Sequence, residues 1–247
     1  MSLFDDPAPV ALDPGPVIIG PHPMGDIKPP ATDRAALGRT AEDLCRSFAA
    51  TRTGQGSWGS WSRLHDLRAG HPAFVLRRGA EGLGLDTQRW DISGGEACWP
   101  TTQILSLSLP WWRRLAERPA QRCLIPVTAA CVALSPSGER GGRAAWFTLP
   151  GEPLFTVAGL WRDHTGGRCF AMLGCVSGHG AWSSAPMIIA SEDRTRWLEG
   201  GWDDILALQT APPAEQIRIG LSDAPIPAYD GRGHAGAWNQ RRTMAGR

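Results

Sequence analysis

The sequence predicts an α+β domain, a single unit built around one curled, mostly antiparallel, barrel-like sheet with a few flanking helices. Three observations carry this expectation. Short apolar runs bounded by Gly, Pro or polar turn residues recur through most of the 247 residues, as strands require. The few stretches with helical apolar spacing fall among these runs without a regular strand–helix alternation, which argues against a parallel, doubly wound sheet. The densest part of the pattern runs from Arg122 to Ile189, with no heptad run and no internal repeat beside it.

Taken in order, residues 1–32 are rich in Pro and Asp and predict an extended or partly disordered arm. Val17-Ile18-Ile19 within it has the composition of a short edge strand. A domain is expected over 33–220. Its first helix is predicted over 33–50, capped by Thr32 or Asp33, with Ala36, Leu37, Ala41, Leu44 and Phe48 in near-helical spacing. A Gly/Ser loop follows with Trp58 and Trp61. Strands are expected over 73–78 and 85–92, joined by a hairpin-like turn over 79–84. After a loop with Cys98-Trp99-Pro100 comes an extended run over 103–109, then a helix opened by Pro110 and running to about Gln121. Further strands are predicted over 122–126, 129–134, 144–149, 154–161, 169–176 and 186–190. A helix over 193–199 with Ser191 as cap, a helical turn over 203–209 and a last strand over 215–220 complete the domain. Residues 221–247, with Pro225, Pro227, Gly231 and Gly233, predict a loose basic tail.

Composition narrows the function classes. A formal net charge of +1 gives no global attraction to nucleic acid or membrane. Lys28 is the lone lysine, so almost every cation is an arginine, able to make planar, bidentate phosphate contacts or to stack on a base. Twelve tryptophans stand against one tyrosine. The six cysteines form no C-x-x-C pair and are expected to be mostly buried and reduced. No apolar segment approaches the roughly eighteen residues of a membrane span, and Asp5 and Asp6 lie where a signal peptide carries positive charge. A cytoplasmic location without a membrane partner is therefore expected.

Several short pieces, in order, resemble the SRAP (SOS response-associated peptidase) family over about residues 70–220. They are Arg89-Trp90, Pro110-Trp111-Trp112-Arg113, Arg122-Cys123-Leu124-Ile125-Pro126, Glu152-Pro153-Leu154-Phe155 with Ala158-Gly159-Leu160-Trp161, and Arg196-Trp197-Leu198 after a Pro-terminated loop. The resemblance implies a compact α+β fold around a barrel-like sheet and a positively charged groove for single-stranded DNA. It implies a cysteine directly after the initiator Met, whose amine and thiol close a thiazolidine on an abasic-site aldehyde. A Glu and a His are implied as acid–base partners, and an Asn-Ala-Arg motif as the sugar and phosphate grip.

At those positions this chain departs from the family. Ser2 stands for the cysteine; the Glu position falls on Val132, the His position on Trp182, and the Asn-Ala-Arg segment near Pro100 to Thr102. No catalytic residue is assigned. Leu44-Cys45-Arg46-Ser47-Phe48 loosely echoes the family's start, which makes Cys45 a weak catalytic candidate if the chain were cleaved before it; a cysteine packed on a helix is the alternative. Cys169, Cys175, His164 and His179 fit no usual zinc spacing, no oxyanion-hole signature accompanies Cys175 with His179, and no P-loop or dinucleotide fingerprint is present. No cofactor and no metal is expected.

The candidate nucleic-acid-binding residues are Arg89, Trp90, Trp111, Trp112, Arg113, Arg114, Trp182, Ser183 and Ser184. Arginine offers phosphate contacts and tryptophan a stacking surface for an unpaired base; a buried Trp90 and Trp111 with a solvated arginine face is the competing arrangement. The expected function is binding of single-stranded or abasic-site DNA in a DNA-damage setting, with the covalent chemistry lost. The alternatives are an active crosslinking enzyme with relocated residues and a phage or mobile-element accessory protein that uses the fold for protein contacts.

Overall fold

The computed structural model describes residues 34–53, 66–92, 101–134, 143–164, 167–176, 184–211 and 217–220. The expected arm, the Trp58/Trp61 loop, Cys98, His179, Trp182, Ser183 and the basic tail lie outside them. The elements are strands Arg34–Ala36 (β1), Thr51–Arg52 (β2), Asp66–Arg68 (β3), Pro72–Gly79 (β4), Gly82–Trp90 (β5), Gln103–Ile104 (β6), Arg122–Val127 (β7), Ala129–Leu134 (β8), Arg143–Thr148 (β9), Phe155–His164 (β10), Gly167–Val176 (β11), Ser184–Pro186 (β12), Ile188–Ile189 (β13) and Arg218–Gly220 (β14). The α-helices are Ala41–Phe48 (α1), Pro110–Ala116 (α2), Arg194–Glu199 (α3) and Trp202–Ala207 (α4).

Five strands close a barrel in the order β11-β10-β7-β4-β5, and the parallel pairing of Cys169 and Phe170 with Arg89 and Trp90 joins its ends. The other four pairings are antiparallel. A second antiparallel sheet runs β14-β9-β8-β1-β3. The fold is thus the mixed α+β domain around a barrel-like sheet that the pattern of short apolar runs predicts.

The β4–β5 hairpin turns through Ala80-Glu81, and Gly82 takes φ 116°, a conformation that glycine adopts at little cost. In β7, Arg122 to Val127 are all buried, as a strand covered on both faces requires. Gly159 on β10 faces Ile125 and Cys123: a Cβ there would lie 2.4 Å from Ile125 Cδ1 and 3.0 Å from Cys123 Sγ. The glycine of Ala-Gly-Leu-Trp therefore makes room for β7 side chains in a densely packed interior.

Four expectations need correction. The helix predicted over 33–50 starts only at Ala41, because Arg34–Ala36 pairs with β3 and β8, and the sheet bonds override the apolar spacing. Thr40 is its cap: Thr40 Oγ1 accepts the Asp43 N–H at 3.1 Å and Asp43 Oδ2 accepts the Thr40 N–H at 3.3 Å, a capping box about two helical turns inside the predicted range. The helix opened by Pro110 ends at Ala116; Pro119 instead begins a 3-10 turn to Gln121, since proline cannot supply an interior helix N–H. The run 103–109 is strand only at Gln103–Ile104. Ser191 does not cap α3; its hydroxyl donates to Glu192 at 2.9 Å, and a 3-10 turn leads into Arg194.

Candidate nucleic-acid interface

Helix α2 gathers most of the described candidates. Pro110 occupies its first position, where no N–H is needed, and Ala116 and the half-buried Trp112 anchor it on the core. This leaves Trp111, Arg113 and Arg114 on its outer side. Trp111 is 51% exposed, and the Arg162 guanidinium from β10 lies 5.9 Å from its ring centroid. Arg113 donates from Nε to Glu117 at 2.8 Å and sits 4.7 Å above the ring of Trp202 on α4. The result is a half-exposed indole with Arg162 on its ring, Arg113 and Arg114 exposed on the same helix, and Leu105 and Leu109 also exposed nearby in sequence. An exposed aromatic face beside guanidinium groups can stack a base and pair its phosphate.

The other candidates are placed differently. Trp90 is only 3% exposed. Its ring stacks on Phe170 with centroids 6.2 Å apart, and its Nε1–H donates to Thr102 O at 2.8 Å. It is thus a core residue and offers no stacking surface. Arg89 is half-buried and ion-pairs with Asp91 at 3.4 Å. Ser184 sits on β12 opposite Val176 of β11. Sequence reasoning missed Arg162 and Trp202, which frame α2 from other elements. Their signal was faint: Arg162 follows Trp161 in β10, and strand alternation turns one of the two inward and the other outward.

The positions tied to covalent chemistry are equally informative. Val132 lies in β8 opposite Ala145 of β9. Cys45 is within α1, where its carbonyl accepts the Ala50 N–H at 2.9 Å, and its half-buried side chain packs against the core. Burial raises its thiol pKa, which keeps it protonated and weakly nucleophilic at neutral pH. Burial pushes Cys175 up to about 12 and Cys123 well above its ordinary value. Cys123, Cys131, Cys169 and Cys175 are buried, as the sequence predicts. Among the described residues no three His, Cys, Asp or Glu side chains gather in a way that could hold a metal. No described helix is long and apolar enough to cross a membrane.

The fold has solved counterparts. A Bordetella bronchiseptica protein of structural-genomics origin superposes with a TM-score of 0.61 at 18% identity, over 78% of this chain and 100% of its own. One from Bacteroides thetaiotaomicron gives 0.60 at 14%, over 76% and 90%. A phage-related protein from Bordetella bronchiseptica gives 0.56 at 13%, over 78% and 94%. At these identities the likeness establishes a shared fold. No protein-family model and no curated protein matches the chain.

Proposed function

We propose that the chain is a divergent SRAP-like protein that binds single-stranded or abasic-site DNA non-covalently, with α2 as the contact surface. The observation that carries this is the half-exposed Trp111, with the Arg162 guanidinium on its ring and Arg113 and Arg114 on the same helix. The placement of Cys45 inside a capped helix, its thiol held protonated, supports loss of the covalent step. Val132, an aliphatic residue, replaces the acid–base carboxylate that the resemblance calls for.

Fluorescence anisotropy with a labelled single strand, with and without an abasic site, tests this across a salt series. Binding should weaken with rising salt, and the Arg113→Ala/Arg114→Ala variant should flatten the slope by about 0.7 per lost phosphate contact. Full binding by that variant would remove α2 from the interface. A covalent adduct stable to denaturant would instead reveal an active crosslinking enzyme. A second reading, an accessory factor of a phage or mobile element that contacts proteins, draws support from the phage-related neighbour. Absence of DNA binding at low salt would select it.

A further inference from the structure

We propose that the interior of the five-stranded barrel is a binding site for a small, neutral, planar molecule that presents a hydrogen-bond donor beside an acceptor, the edge that a nucleobase or cyclic amide carries. The observation is a polar cluster where an apolar filling would be expected. Asp86, Gln88 and Trp90 alternate along β5 and share one face. Trp90 stacks on Phe170, and Phe170 lies directly opposite Trp161 across the β10–β11 pair, so Trp161 and Arg168 point to the same side. Arg77 on β4 reaches into the same space. Its Nε donates to Asp86 Oδ2 at 3.2 Å, and Arg168 Nη1 donates to the same oxygen at 2.8 Å. Gln88 Nε2 adds a third donor at 3.3 Å, and the Thr87 N–H reaches Asp86 Oδ1 at 2.8 Å. The two guanidiniums also lie against the indole of Trp161, at 5.0 Å for Arg77 and 5.7 Å for Arg168.

Side-chain exposure grades from 79% at Asp163 through 36% at Arg168 and 18% at Arg77 to 0% at Asp86. The cluster therefore leads from solvent into the barrel. Charge decides what it can accept. Arg168 also pairs with Asp163 at 3.5 Å, so two guanidiniums meet two carboxylates and the cluster is neutral. An ion entering it would bring an uncompensated charge into a buried region. Two neutral atoms on the cluster's own side chains are buried with no hydrogen-bond partner among the described residues: Gln88 Oε1, an acceptor, and Trp161 Nε1, a donor. The amide orientation is fixed by chemistry, since turning Gln88 over would set its oxygen against the Asp86 carboxylate. Buried polar atoms are rarely left unmet, and here one donor and one acceptor border the same carboxylate–guanidinium group. A ligand with a complementary acceptor and donor would meet both, beside guanidiniums already held by Asp86 and the Trp161 ring. The site is separate from the α2 surface and does not depend on DNA binding.

The test is a titration of the full chain with uracil, adenine and inorganic phosphate, followed through the indole N–H resonances, with Trp161 assigned from Trp161→Phe. A base should move the Trp161 resonance saturably, phosphate should not, and Gln88→Leu should weaken the response at least tenfold while the other indole signals hold their places. If no base moves the Trp161 signal in the unaltered protein, the two atoms serve a buried water and the proposal fails. It fails equally if phosphate moves the signal in place of a base, or if a folded Gln88→Leu responds undiminished. Should Gln88→Leu not fold, the titration of the unaltered chain still decides.

Discussion

Two arginine–tryptophan pairs in this molecule have almost the same geometry and opposite roles. Arg122 lies 6.0 Å from the ring of Trp197, and Arg162 lies 5.9 Å from the ring of Trp111. The first pair is fully buried. Arg122 Nε donates to Ala116 O at 2.6 Å, and Nη1 donates to Trp197 O at 3.1 Å and Gly200 O at 2.7 Å. Those carbonyls belong to the C-terminal ends of α2 and α3, where intrahelical donors run out and the helix dipole favours a cation. Trp197 in turn donates from Nε1 to Cys123 O at 2.8 Å, fastening α3 to β7. Burial lowers the Arg122 pKa, yet an arginine remains charged at neutral pH. In the second pair Trp111 is half exposed, while Arg162 is half-buried and its Nε has no hydrogen-bond partner among the described residues. The comparison teaches that the arginine–indole contact does not reveal the role; where the remaining donors go does. In Arg122 they are spent on the chain's own carbonyls, whereas the Trp111 surface keeps an open aromatic face.

The largest effect expected from this comparison is on stability. Arg122→Met should cost about 3 kcal/mol, because it leaves three buried carbonyls without donors. Denaturant unfolding monitored by tryptophan fluorescence gives the value. A loss below ~1 kcal/mol would mean that water replaces the guanidinium and that Arg122 is not the fastening it resembles. DNA affinity per folded molecule should be unchanged, since the side chain reaches no solvent.

Trp111→Ala should behave in the opposite way. Stability should change by less than ~0.5 kcal/mol, as for an exposed substitution away from a cap or core. Affinity for a single-stranded oligonucleotide should fall by about 1–3 kcal/mol, the typical loss of one base stack, or roughly 5- to 150-fold. If Trp111→Ala destabilises the fold as Arg122→Met does, the two pairs are the same kind of structural contact and the proposed interface is wrong.

Thr40→Ala supplies a reference that touches neither pair. Loss of the capping box should cost about 1 kcal/mol. The pH dependence has a definite sign. Hydrogen bonding from Thr40 holds the Asp43 carboxyl below its ordinary pKa in the folded state. A carboxyl depressed by folding contributes stability above its unfolded value of about 4, and the contribution is lost as pH falls through the lower folded value. The difference between the parent and Thr40→Ala should therefore shrink on acidification below about pH 4. A difference that stayed constant through this range would show that Asp43 owes its depressed pKa to another group.

These contrasts also show which features the sequence made legible. The barrel strands could be read because Arg122 to Val127 and Phe155 to Trp161 are buried on both faces and so are mostly apolar, with Arg122 and Thr156 as the polar members. β1, by contrast, could not. Arg34-Ala35-Ala36 has helical neighbours and becomes a strand only through pairing with Asp66–Arg68 and with β8, distant partners that leave no local mark. Likewise, the same Arg-Trp chemistry made Trp90 and Trp111 equal candidates, and only the closure of β5 onto β11 buries one and leaves the other out. Asp86 gave no warning either, since a lone acidic residue in a strand normally faces water; here Arg77 across the β4–β5 hairpin and the distant Arg168 of β11 draw it inward.

The smallest expected effect sharpens the surface side of the comparison. Glu117 holds Arg113 by an exposed i,i+4 bridge of 2.8 Å, a contact worth about 0.3–0.5 kcal/mol. Glu117→Gln should cost no more than that in unfolding experiments. It should strengthen binding to single-stranded DNA and steepen the salt dependence, because it removes a negative charge beside the platform and frees the Arg113 Nε–H for phosphate. The two readouts thus move in opposite directions, which neither a purely structural α2 nor a protein-binding α2 would produce. A Glu117→Gln variant with unchanged or weaker DNA affinity would place the phosphates elsewhere and leave Arg113 as a surface brace between Glu117 and Trp202.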